Sequence, residues 1–154
     1  MKRIAILVTL AALFVGVTVC LADSPQMGTW KLNEAKSHFA PNAPKNNTVV
    51  YEASGDNIKV TVDGTDGRGN ATHNEWTGKF DNNFYAVSGD PTSDMRSYRQ
   101  VNAHTLALTA KKENKVTLTG TIVVSANGKT RTVTTHSRDA KGKRVTNTAV
   151  YDKQ

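Results

Sequence analysis

The chain has 154 residues, 20 Lys+Arg against 13 Asp+Glu, and one cysteine, Cys20. That length suits a single ordinary domain, and one thiol excludes an internal disulfide framework or a cysteine metal site. The net charge of +7 is paired with only 6% aromatic residues, whereas a nucleic-acid surface needs clustered aromatics for stacking.

Lys2 and Arg3 lead into an apolar run from Ile4 to Val19, followed by Cys20-Leu21-Ala22. A charged start, an apolar stretch and small residues before a cut read as a secretory signal peptide, cleaved after Ala22. Two rivals stand beside it. A retained membrane anchor needs about 20 apolar residues, more than this run supplies. A lipoprotein signal acylated at Cys20 wants Gly, Ala or Ser immediately before the cysteine, where Val19 stands. The expectation is therefore a signal over 1–22 and one exported domain over 23–154, in the periplasm or the medium, with no membrane span left after cleavage. Losing Lys2 and Arg3 while keeping all 13 acids leaves a charge of +5 and no thiol.

Beyond residue 22 no helical period is sustained, and eighteen Thr and twelve Val stand against four Leu, a strand composition. Gly28–Leu32 reads as the first strand. Asn33–Asn46 is irregular, with Pro41, Pro44 and one helical turn at Glu34–Ser37. Thr48–Ser54 is the second strand. Gly55-Asp56 turns it into Asn57–Asp63, where Ile58, Val60 and Val62 alternate with polar neighbours, the mark of one buried face. Gly64–Asn70, with three glycines, reads as loop throughout. Strands follow at Ala71–Phe80, Asn83–Val87, Met95–Val101, Thr105–Lys111, Lys115–Ser125, Thr130–Arg138 and Val145–Tyr151. Turn residues separate them, and Asn127-Gly128 is the strongest hairpin signal. The similar segments Asn47–Glu52 and Asn147–Asp152 read as two strands meeting one packing requirement.

About eight to ten short strands with short links predict an all-β antiparallel up-and-down meander. It would close into a barrel through pairing of its first and last strands. The basic stretches Lys111-Lys112 and Lys141-Gly142-Lys143-Arg144 lie beside turns, where lysine protects strand edges. The alternative is an envelope or extracellular interaction module that binds polyanions or another protein through this basic surface.

Gly28–Asn33 (GTWKLN), Lys36-Ser37-His38-Phe39 and Val150–Gln154 (VYDKQ) resemble a group of small exported bacterial proteins, which implies a family but no activity. More distantly, Gly28-Thr29-Trp30 resembles the first-strand motif of lipocalin-like (calycin) barrels. That likeness implies structural roles for Gly28 and Trp30. It also implies a late-strand arginine packed on the Trp, for which Arg138 or Arg144 is the candidate. The second lipocalin signature is missing. So is the Arg-x-Tyr carboxylate clamp of fatty-acid-binding proteins, since Arg144 and Tyr151 are seven apart.

Motifs for catalysis are absent: there is no G-x-S-x-G and no H-E-x-x-H. His73 and Glu75 share a strand face, but two side chains do not make a metal site. Asp63–Asn70 fails calcium-loop spacing. No catalytic residue, metal or cofactor is expected, and the chain reads as a non-enzymatic binder of a small apolar or amphipathic molecule. The candidate ligand residues are His73, Trp76, Phe84, Tyr85, Arg96 and Tyr98, which fall on neighbouring strands with polar groups beside aromatic ones. Such a mixture suits a cavity wall, though the same aromatics are what a lean core requires.

Overall fold

The computed structural model describes residues 24–139 and 141–154; the expected signal over 1–22, with Cys20, lies outside them. Ten strands run in order: β1 (Gly28–Leu32), β2 (Lys45–Ser54), β3 (Asn57–Thr65), β4 (Ala71–Gly78), β5 (Tyr85–Ser88), β6 (Met95–Asn102), β7 (Thr105–Lys112), β8 (Lys115–Val124), β9 (Thr130–Arg138) and β10 (Arg144–Lys153). Each pairs antiparallel with its sequence neighbours, and β1 pairs with β10 to close the ring. The fold is the expected closed up-and-down barrel of the lipocalin-like kind. A single 3-10 turn, Glu34–Lys36, is capped by the Asn33 side chain.

Closure rests on a short register, Trp30 opposite Lys153 and Leu32 opposite Tyr151. On its other edge β1 pairs with β2, Gly28 opposite Tyr51. The two similar segments therefore flank β1 symmetrically. Each turns a tyrosine inward from the same relative position.

Alternation decides which side chains enter the barrel. The core comprises Trp30, Val49, Tyr51, Ile58, Val60, Val62, Trp76, Val87, Tyr98, Leu106, Ile122, Val124, Ala149 and Tyr151. One end is plugged by Ser24–Met27. Gln26 is 1% exposed, its Nε2 donates to the His104 carbonyl, and its own carbonyl accepts from Trp30 Nε1 at 2.8 Å. The other end is a rim made by the β3–β4, β5–β6, β7–β8 and β9–β10 turns and the β1–β2 link.

Several boundaries are corrected: β2 begins at Lys45 and not Thr48, β4 ends at Gly78 and not Phe80, and β5 begins at Tyr85 and not Asn83. Gly64 was expected in a loop, yet β3 runs through it to Thr65, paired with Asn46 and Thr72. A β-carbon at Gly64 would stand 2.1 Å from the Lys45 carbonyl oxygen. The glycine thus permits β2 to approach closely at its bulge. The loop itself begins at Asp66, whose carboxylate accepts from the Arg68 and Asn70 amides.

Candidate functional site

Strand phase divides the six candidate ligand residues. Trp76, Tyr85, Arg96 and Tyr98 point inward. His73 alternates with inward neighbours on β4 and lies outside, and Phe84 precedes β5, outside any strand. His73 Nδ1 is 2.7 Å from Asp63, with Glu75 and Lys59 beside it on the outer face of β3 and β4. The Phe84 ring carries the Lys111 ammonium 3.9 Å from its centroid. Neither belongs to an interior wall.

The inward four pack tightly against one another. Trp76 makes edge-to-face contacts with Tyr85 at 5.7 Å and Tyr98 at 4.8 Å, and Phe80 meets Tyr98 at 5.8 Å. A β-carbon on Gly78 would sit 2.5 Å from the Tyr85 ring, so the glycine makes room for that ring. Trp76 Nε1 donates to the Arg96 carbonyl. Arg96 Nη2 reaches Asp90 at 3.0 Å and Asn74 at 3.4 Å. Burial opposes charge on Asp90, but hydrogen bonds from Ser93 and Thr92 and the Arg96 charge outweigh it and hold the carboxyl below its ordinary range. These residues fill and lock the β4–β6 side of the barrel.

The arginine on Trp30 is Arg131 and not Arg138. Arg138 is exposed at the β9–β10 turn, where its Nη1 donates to the Gly142 carbonyl. It and Arg144 are both out of phase with the inward residues of their strands. Arg131 is in phase with Val133 and directly opposite Tyr151. It is 3% exposed. Its guanidinium carbon lies 5.7 Å from the Trp30 ring, 4.7 Å from Tyr51 and 5.2 Å from Tyr151. Burial raises the pKa of both tyrosines, with the Arg131 charge opposing, and pushes Tyr151 up to about 12. Their hydroxyls therefore keep their protons at neutral pH. On β1, Trp30 is fully buried, and Gly28 has a φ of +102° against the Lys153 side chain.

The wall opposite the aromatics is built differently. Three inward rows cross β7–β10: Leu106, Ile122, Val133 and Ala149; Leu108, Gly120, Thr135 and Asn147; Ala110, Leu118, Ser137 and Val145. In the row nearest the plug Leu106, Ile122 and Ala149 are buried, whereas all four members of the middle row are half-buried. Toward the rim Leu118, Ser137 and Val145 are also half-buried. Small side chains and a glycine thus line the middle and rim rows of this wall, most of them half-buried, above the buried row that adjoins Arg131. The signal for it was present in the alternation of Val133, Thr135 and Ser137 with Thr132, Thr134 and His136, but no aromatic drew attention to it.

The rim beside this wall is basic. Lys112 and Lys115 flank the β7–β8 turn, and Arg138, Lys141, Lys143 and Arg144 surround the β9–β10 turn, against Glu113 and Asp139. A cleft of about 250 Å³ lies further round, between Phe39–Lys45 and Thr65–Gly69, and another of about 140 Å³ lies near Ile58 and Phe80. Neither is lined by any of the six candidates. Among the described residues no group of three or more His, Cys, Asp or Glu is placed to hold a metal ion, and no helix is long and apolar enough to cross a membrane.

Comparison with known proteins finds no matching family model and no matching curated protein.

Proposed function

We propose that the protein is an exported, non-enzymatic binder of a small apolar or amphipathic molecule, received through the rim. The half-buried, small-residue rows of the β7–β10 wall carry this reading. Its middle row is half-buried throughout and its rim row half-buried except at Ala110, and it mixes apolar Leu108, Leu118 and Val133 with polar Thr135, Ser137 and Asn147. Ligand sites commonly combine such an apolar lining with a few polar groups. Trp76, Tyr85, Arg96 and Tyr98 enter the reading as the packed wall facing it, while His73 and Phe84 leave it.

Native mass spectrometry of protein isolated from its own envelope fraction or medium tests the reading. The expected spectrum holds a small-molecule adduct on a chain beginning at Asp23. A chain retaining residues 1–22 would reject export, and an adduct-free protein that takes up no amphipathic probe would reject binding.

The basic rim favours a second reading, an interaction module for polyanions. Co-sedimentation with anionic vesicles separates the two. Affinity that disappears on K141E/K143E substitution, in a protein with no small-molecule binding, supports the second.

A further inference from the structure

We infer that the basic side of the rim docks on an anionic lipid bilayer, with Val116 as its apolar contact; this names the partner in the second reading and rests on it, and requires no ligand in the barrel. Two neighbouring hairpins build the surface. Lys112 and Lys115 flank one turn, and Arg138, Lys141, Lys143 and Arg144 surround the other, against Glu113 and Asp139. Among the described residues none of these six cations forms an ion pair. All are exposed except the half-buried Lys112.

The excess charge is local. The four links at the plug end carry Lys79 and Lys129 against Asp56 and Asp81. Elsewhere on the rim, the β3–β4 and β5–β6 turns hold Asp66, Asp90 and Asp94 against Arg68. A field concentrated on two hairpins turns that side of the molecule toward an anionic surface before contact.

An apolar side chain stands among these cations. Ala110 pairs with Leu118 but Lys111 with Val116, so Thr117 is an extra residue on β8. The bulge takes Val116 out of the inward phase kept by Leu118, Gly120, Ile122 and Val124, as bulges commonly re-aim a side chain. Val116 is 57% exposed, the most of any large apolar residue described. Lys115 precedes it, and Lys111 faces it across the ladder. Cations around an outward apolar side chain suit a bilayer surface, where headgroup charge and acyl chains lie close together. A soluble polyanion answers the charge alone and offers Val116 no contact.

Protein isolated as for mass spectrometry is sedimented with vesicles of phosphatidylcholine, alone or with about 30% phosphatidylglycerol. Binding is expected to the mixed vesicles only, and to weaken in about 0.5 M salt. Each cation near such a surface strengthens binding about fivefold, so K141E/K143E should weaken it at least about 25-fold. In the unsubstituted protein, a paramagnetic lipid in the mixed vesicles should attenuate the Val116 methyl resonances. It should spare those of Val101 and Val123, which are 50% and 42% exposed at the plug end. Equal attenuation of all three valines, or equal binding to neutral vesicles, would overturn the docking face. Retention on immobilised polyphosphate without sedimentation would overturn the bilayer and leave the polyanion reading standing. Binding to neither would remove both.

Discussion

At the scale of single residues, the interior is governed by how two guanidiniums are accommodated. Arg131 is stacked between rings and Arg96 is ion-paired, and only the second makes folding sensitive to acid. The Asp90 carboxyl titrates below its unfolded value, so its contribution is fully present above the ordinary carboxylate pKa near 4 and is lost as pH falls through the lower folded value. Asp90→Asn should therefore lower stability at pH 7 and flatten the acid limb, measured by urea unfolding between pH 7 and 2. An acid limb as steep as that of the unsubstituted protein would assign the acid sensitivity to other carboxylates. Outside the barrel, the Lys59–Glu75–His73–Asp63 cluster is solvent-exposed, and ion pairs of that kind contribute little.

Elements differ in how firmly they are held. β5 is four residues long and shares only two paired positions with each neighbour. Side chains brace this seam, through Trp76 to the Arg96 carbonyl and Tyr85 to Asp81. Amide exchange in Tyr85–Ser88 should be the fastest of the ten strands, because few backbone bonds must open there. Protection equal to that of β8 would refute it. At the β7–β8 hairpin, Glu113 and Asn114 both adopt positive φ, +49° and +62°, the left-handed pair that a two-residue turn demands. Asp94 holds the Glu113 amide at 2.8 Å, yet a β-carbon in that conformation is unfavourable. Glu113→Gly should raise stability by about 1 kcal/mol, read as an upward shift of the thermal midpoint.

The elements were largely legible in the sequence, since period-two alternation in Asn57–Asp63 and Lys115–Ser125 and turn pairs such as Asn127-Gly128 are local signals. What local signals do not carry is register between strands. Arg131 lies between two threonines and becomes notable only once Tyr51, Tyr151 and Trp30 are brought around it by β1 closing against both β2 and β10. Arg138 and Arg144 are the late-strand arginines that the first-strand resemblance offers, although counting from Val133 and Ala149 places both on the outer face. The same count separates His73 from Trp76.

On the scale of the whole molecule, the barrel is asymmetric along its axis. The plug end holds Trp30, Gln26 and the buried aromatics, and the rim holds most of the excess positive charge. A ligand that enters at the rim would meet small and polar side chains first and aromatic rings last. β1 is the keystone of the ring, since four of its five residues pair with β2 and three with β10. Its closeness to the C-terminus has a further meaning. The Gln154 amide donates to the Thr29 carbonyl at 3.0 Å, so the two ends of the domain lie side by side at the plug. Chain order is then incidental to the architecture, and the ring can be cut elsewhere. A circular permutant with a short linker from Gln154 to Ser24, reopened at the exposed Asn127-Gly128 turn, should fold to the same barrel and give the same circular dichroism spectrum. Its new ends would emerge beside β8 and β9, at the same end of the barrel as the old ones.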